Sequence, residues 1–368
     1  MEQLVLTASL LIPLILSAVL FYNARNNRAK LILAFGMLNA SAVFVANYFY
    51  FLGNFNIYTY LHSLHVALVL FIYPSIYLYL ADLTGKPKSL KKAWFHFLPG
   101  IIFFIAYIIF FDLRFNYHER VSFLSNYRNE ITNDVRFHIV EVIRLANVAV
   151  IILQVTGYSM TIFSESQKYN LRLKNEFSNA EHLQIKWLSW FNLALIVVAI
   201  ISIVFYVINP FSDENNTFLI LSMFAISVFI WLIGIWGNAQ PKIVLPVEKN
   251  RSLESLNGID KIYKQLETLM LEEKYYLNPE LTLTELSRLA GTNRSYTSQA
   301  INKHGKSNFS AFVNKYRINE AQKIMKENPG IKLEQVASES GFGSVLSMQR
   351  AFSKQLGVSP GKWRASGQ

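Results

Sequence analysis

Two short stretches near the C-terminal end carry polar side chains at spacings suited to reading base edges. Arg294, Ser295, Ser298, Gln299 and Asn302 recur at intervals that one helix face would gather, and Ser344, Val345, Ser347, Arg350 and Lys354 form a second such set. Their chemistry is recognition, not bond making. Arginine forks onto guanine, glutamine or asparagine onto adenine, and valine meets the methyl group of thymine, whereas lysine supplies charge to a phosphate. Arg350 suits either a guanine or a phosphate.

A third polar set lies inside long apolar runs. His62 and His65 are one helical turn apart, and His138, Glu141 and Arg144 fall at i, i+3 and i+6. Ionisable groups in such surroundings are costly and mark candidate functional positions. One reading is a ligand-sensing pocket in the outer half of a membrane bundle. The other is a Glu141–Arg144 pair that neutralises itself beside histidines hydrogen-bonded between helices. A transition-metal site would require the two segments to touch, and no metal is assigned. The chain has no cysteine, which removes disulfides, thiolate ligands and cysteine nucleophiles. It also lacks a Gly-rich phosphate loop, an HExxH zinc helix and the kinase signature set. The expectation is a protein that is not an enzyme, with no catalytic residue and no cofactor.

The elements that must position these residues differ sharply on either side of Gly237. The 368 residues are 52% hydrophobic and only 16% charged, against about 25% charged in soluble domains. Seven apolar runs, 4–22, 31–52, 57–81, 93–111, 137–163, 187–208 and 217–237, are each close to the ~20 residues a helix needs to cross hydrocarbon. Pro13, Pro74 and Pro99 fall inside runs, where lipid-embedded helices tolerate them. Alternate loops carry Arg25, Arg28, Lys30, Lys86, Lys88, Lys91, Lys92, Lys168, Arg172, Lys174 and Lys186; the others carry Arg114, Arg120, Arg128 and Arg136. That asymmetry predicts a multi-pass inner-membrane protein with its N-terminus outside and its C-terminus in the cytoplasm. Met1-Glu2-Gln3 lacks the basic start of a signal peptide, so the first run is expected to be retained.

Beyond Pro241 and Pro246 the sequence turns polar and basic. A helix is expected over 252–276, with Ile259, Ile262, Leu266 and Leu269 as its apolar stripe, either packed on the domain C-terminal to it or paired as a short dimer coiled coil. Two helix-turn-helix patterns come next. In the first, Thr284–Ala290 forms a helix, Gly291 the turn, and Asn293 caps a helix to about Lys303. A longer helix from about Phe309 to Lys326 connects to the second. There Leu333–Ser340 forms a helix, Gly341-Phe342-Gly343 the turn, and Ser344 to about Gln355 the second recognition helix. From Asn278 onward there are 13 Lys and Arg against 6 Asp and Glu, a balance of +7 that suits a phosphate backbone.

The stretch from about Leu277 to Arg364 resembles the DNA-binding domain of AraC/XylS-type bacterial transcription regulators. The resemblance rests on Tyr296-Thr297-Ser298 and Tyr316-Arg317-Ile318-Asn319-Glu320-Ala321, and in the second unit on Gly341-Phe342, Arg350-Ala351-Phe352, and Gly357-Val358-Ser359-Pro360 with Trp363-Arg364. It implies two helical units joined by a connecting helix, each offering one helix to successive major grooves. Three departures stand out: Ser287 in place of alanine, Thr297 in place of leucine, and Leu346-Ser347-Met348 in place of serine, an aromatic and phenylalanine. The whole chain is also similar to multi-span membrane regulators with this domain, frequent in Bacteroidetes-type bacteria. The expected fold is therefore all-α: a seven-span sensor domain over 1–240, a helical coupling segment over 241–277 and an AraC-type DNA-binding domain over 278–368. The expected function is a membrane-bound one-component transcription regulator whose partners are double-stranded DNA and the lipid bilayer. RNA polymerase, an unidentified ligand and a second copy of the chain are further candidate partners. The competing reading is a receptor or transporter-like membrane protein whose cytoplasmic domain binds a protein.

Overall fold

The computed structural model describes residues 2–25, 27–126, 134–185, 187–190, 192–193, 196–197, 200, 216–241, 243, 245 and 256–366. The expected run 187–208 falls mostly outside these residues, as do Arg128, Lys186 and most of the coupling segment before Leu256. The chain forms two compact units, one of residues 1–166 and 185–244, the other of residues 167–184 and 245–368. Every named element among the described residues is helical; the isolated bridge between Phe177 and Thr282 is the only β pairing among them.

The first unit begins with α1 (Glu2–Asn23), α2 (Arg28–Phe51) and α3 (Phe55–Leu70). It continues with α4 (Ile72–Leu83), α5 (Leu98–Tyr107), α6 (Tyr117–Asn126), α7 (Val135–Glu176), whose residues from 167 on belong to the second unit, and α8 (Asn216–Ala239). Helix α1 packs on α2 and α8, α2 on α3 and α4, and α3 on α5. Asn27 and Asn54 cap α2 and α3 by accepting from the amides of Lys30 and Ile57. The run expected over 57–81 is one apolar stretch bent at Phe71. Pro74 has no N–H to donate to the carbonyl of Leu70, so the ladder lapses there and α4 restarts. Pro99 sits in the first turn of α5, where the missing N–H costs nothing.

Among the described residues, five helices are long and apolar enough to cross a membrane: Gln3–Asn23, Arg28–Phe51, Phe55–Leu83, Trp94–Asp112 and Val135–Glu176. Met223–Ala239 is a shorter apolar helix that overlaps the expected seventh run and extends past its end. Outward positions on these helices are apolar as well: Ile15, Phe35, Leu153, Met160 and Phe163 are exposed. Polar groups instead bridge the helices. Ser17 Oγ donates to the Ala34 carbonyl at 3.0 Å, Ser41 Oγ to Leu10 at 2.9 Å and Asn39 Nδ2 to Leu68 at 2.9 Å. Small polar side chains that bond across helices are a usual means of helix association in lipid. Helix α7 runs well past the expected end at 163, because Ser164–Glu176 contains neither proline nor glycine to stop it.

The second unit holds α9 (Leu256–Leu271), α10 (Leu283–Leu289), α11 (Arg294–His304), α12 (Phe309–Glu327), α13 (Leu333–Glu339), α14 (Val345–Leu356) and α15 (Pro360–Ala365). The stripe on α9 is buried in the first core, where Ile259, Leu266 and Met270 meet Leu286, Ile301 and Phe312. Helix α12 is shared. Phe309, Phe312, Val313 and Tyr316 belong to that core, while Ile318, Ala321, Ile324 and Met325 belong to a second one with Val336, Phe342, Met348, Phe352 and Trp363.

Arg317 lies between the two groups and is fully buried. Its Nε donates to the Tyr276 carbonyl at 2.7 Å, and its Nη2 to the Asn278 carbonyl at 2.7 Å and to Ser178 Oγ at 3.0 Å. Burial pulls its pKa down to about 10, so it remains charged near neutrality. Hydrogen bonds to a charged group are worth about 1.5–3 kcal/mol each, which ties the segment before α10 to the middle of the connecting helix.

Candidate nucleic-acid interface

Each helix-turn-helix pair is set by local chemistry that is visible in the sequence. In the first, Thr282 Oγ1 accepts from the Glu285 amide and caps α10. Gly291 turns the chain with φ +61, and Asn293 Oδ1 accepts from the Tyr296 amide at 3.0 Å to start α11. In the second, Gly341 adopts φ +81, and a Cβ there would run into the backbone of Tyr276 and Leu277. Ser344 Oγ then accepts from the Ser347 amide and caps α14. Left-handed φ at both turns fits glycine, which has no Cβ to clash.

The departures from the family pattern are accommodated inside the fold. Ser287 Oγ donates to the Leu283 carbonyl at 2.6 Å and Thr297 Oγ1 to the Asn293 carbonyl at 3.1 Å, so both buried hydroxyls are satisfied by the preceding turn. Met348 is buried in the second core, and Leu346, 53% exposed, faces outward.

Helix α11 buries Thr297, Ala300 and Ile301 and leaves a polar row on its other side. Gln299 Nε2 lies 3.5 Å from Ser295 Oγ, and Asn302 Nδ2 lies 3.5 Å from Ser298 Oγ. These long contacts hold the amides loosely. On α14, Arg350 and Lys354 are exposed on the same face as Leu346. Two expected members of the set turn the other way. Val345 packs against the second core, and Ser347 is buried, its hydroxyl bonded to Ser344 Oγ at 2.7 Å and to the Ser344 carbonyl at 3.1 Å.

A segment not anticipated from the sequence lies against both turns. Glu176 ends α7; its carboxylate accepts from Thr284 Oγ1 at 2.6 Å and from Arg294 Nε at 2.5 Å. Glu181 accepts from Arg350 Nη1 at 2.9 Å. Between them Ser178 donates its amide to the Leu281 carbonyl at 3.1 Å, and its carbonyl accepts from Ser310 Oγ at 3.0 Å. The visible signal was an acidic pair following Lys168, Arg172 and Lys174 in an otherwise basic stretch.

The other candidate set sits in the first unit. His65 Nδ1 is 3.1 Å from Tyr58 OH, and the ring of His62 meets Tyr58, Tyr107 and Phe111. The Nδ1 of His62 is buried there without a hydrogen-bond partner. Glu141 and Arg144 form a two-point ion pair along α7. Tyr58 and Val140 belong to one aromatic cluster with Tyr107, Phe111, Phe115 and Phe123, so the third and fifth apolar runs share a core. His138 lies one turn beyond Asp134, whose carboxyl is held low chiefly by hydrogen bonds from Arg136. Two further polar links were not foreseen: Ser63 Oγ donates to Asp112 at 2.6 Å, and Arg120 pairs with Asp112 at 3.3 Å. Among the described residues no group of three or more His, Asp or Glu is placed to hold a metal ion.

Residues 286–366 match the family model described as a helix-turn-helix domain. This match at the C-terminal end supports the AraC-type helix-turn-helix reading. That domain type belongs to DNA-binding transcription regulation and typically has no enzymatic activity. No curated protein and no solved structure matches the chain.

Proposed function

We propose that this chain is a membrane-bound one-component transcription regulator. The observation that carries the reading is the pairing of two capped recognition helices, α11 and α14, on one shared connecting helix in a unit of basic charge. Arg294, Ser295, Ser298, Gln299 and Asn302 read one major groove; Leu346 and Arg350 face the next, with Lys354 on a phosphate. Ser344 and Ser347 serve the cap of α14, and Val345 supports it from the core side. RNA polymerase and a second copy of the chain are partners compatible with this role.

DNA binding is tested by titrating the protein and its variants against duplex DNA. Gln299→Ala is expected to cost about 1–3 kcal/mol on a specific site and little on random DNA. Lys354→Ala is expected to weaken all sequences alike and to flatten the salt dependence. Equal losses on specific and random DNA would remove Gln299 from the base-reading set, and binding indifferent to salt would favour a protein partner over DNA.

The apolar unit is the sensing part, in an inner membrane with the N-terminus outside and the C-terminus in the cytoplasm. Five long apolar helices with outward apolar side chains and the loop charge asymmetry support this. A reporter active only in the cytoplasm, fused after Gln368, is expected to be active. Activity only from an externally active reporter at that position would contradict both the topology and the DNA-binding role.

His62, His65, His138, Glu141 and Arg144 are proposed as the sensing set. The buried nitrogen of His62 and the aromatic core common to the two helices support it. Glu141→Gln should leave inserted, folded protein whose promoter output no longer follows the cue. Loss of folded protein identifies a structural ion pair instead, and an unaltered response excludes Glu141 from sensing.

A further inference from the structure

The segment at the end of α7 touches the DNA reader where DNA would. Arg294 opens the first recognition helix and Arg350 lies on the second. Each is engaged by a carboxylate from one short stretch of chain, Glu176 on the first and Glu181 on the second. The side chain of Glu176 is only 3% exposed, so this pair is shielded from solvent and salt. The segment is also seated by its backbone. Phe177 bridges Thr282, the Ser178 amide meets Leu281, and Ser178 Oγ accepts from the buried Arg317. Its Asn179 amide lies so close to Gly343, in the turn before α14, that a Cβ at Gly343 would overlap it.

Carboxylate and phosphate compete for the same donors. A guanidinium presents a planar fork that either anion satisfies, and neither arginine can direct the same N–H to both. A seated 176–181 segment therefore withholds one cation from each reading helix and covers the turn that leads into the second.

We propose that residues 176–181 form an acidic autoinhibitory strap that competes with duplex DNA for the two recognition helices. The proposal rests on the DNA-binding reading above. The strap follows directly from α7, a continuous helix whose earlier part carries Glu141 and Arg144. A displacement of α7 along or about its axis draws Glu176 away from Arg294 and Thr284. This gives the sensing set a covalent route to the reader that does not pass through the segment between α8 and α9.

The test uses the full-length protein in lipid nanodiscs and a labelled mixed-sequence duplex at low salt. Three variants are compared with the parent. Glu176→Gln combined with Glu181→Gln removes the competing charges. Gly343→Ala keeps every charge and displaces Asn179; the backbone there is not left-handed, so alanine is tolerated. Glu327→Gln, a surface acid on α12 paired with Lys323, removes a charge from the reader without touching the strap. The double variant and Gly343→Ala are each expected to bind DNA roughly tenfold more tightly, because the apparent affinity rises as the strapped fraction falls. Glu327→Gln should change it much less. Amide exchange over 177–184 in the parent should speed up when DNA is added. Parent and variants binding with equal affinity, or strap amides that stay protected at saturating DNA, would overturn the strap while leaving DNA binding intact. No binding by any of the four would overturn the DNA-binding reading and the strap with it.

Discussion

The reader depends on a helix that must be buried on both halves of its length. Helix α12 gives one group of side chains to each of two cores, and Arg317 occupies the position between them. A charge at that depth is costly unless it is hydrogen-bonded, and here Nε and Nη2 span two backbone carbonyls and a serine hydroxyl while Nη1 is buried without a partner. The consequence is mechanical. With α12 as a common spine, α11 and α14 are carried by one rigid element, so the two polar faces keep a fixed separation and phase. Tyr276, bonded to Glu320 at 2.9 Å and stacked on Tyr316, fastens the entry to the first unit to the same helix. Burial of its hydroxyl beside that carboxylate raises the pKa of Tyr276, so it stays a neutral donor at physiological pH.

That spine also explains how a few residues outside the matched region reach both recognition helices. Ser178 accepts from Arg317 at the junction, and the acids on either side of it lie against one unit each. A strap anchored at the pivot needs only a short span to engage both arginines. The apolar unit presents a different solution to the same problem of buried polarity. Its serine and asparagine side chains bond to carbonyls of neighbouring helices, while ionisable groups are held in pairs such as Arg28–Asp82 and Glu141–Arg144. Arg28–Asp82 joins the start of α2 to α4, whereas Glu141–Arg144 neutralises itself along one helix, α7.

Local signals were legible wherever chemistry acts over a few residues. Asn293 caps the helix that begins after it, Gly291 and Gly341 take left-handed turns, and the α9 stripe lies where its spacing placed it. The long apolar runs were equally visible in composition. What the sequence could not display was side-chain direction at a helix start and contact across distance. Ser347 has the type and spacing of a groove reader, but as the third residue after the cap it turns back to Ser344. The stripe on α9 also allowed a dimer seam, and only the fold shows that Leu266 and Met270 are already covered. Glu176 and Glu181 lie more than a hundred residues upstream of the arginines they engage. Nothing local distinguishes them from ordinary loop acids, because their partners are set by tertiary packing.

The most direct test of a spine-mounted pair of reading helices is the pattern of DNA protection. Hydroxyl-radical footprinting of the protein on a selected binding site is expected to show two protected windows on one face of the duplex. They should be about one helical turn apart, roughly 10 base pairs. Substituting Arg350 should erase one window and leave the other. A single window, or two whose spacing varies from site to site, would contradict a rigid connection through α12.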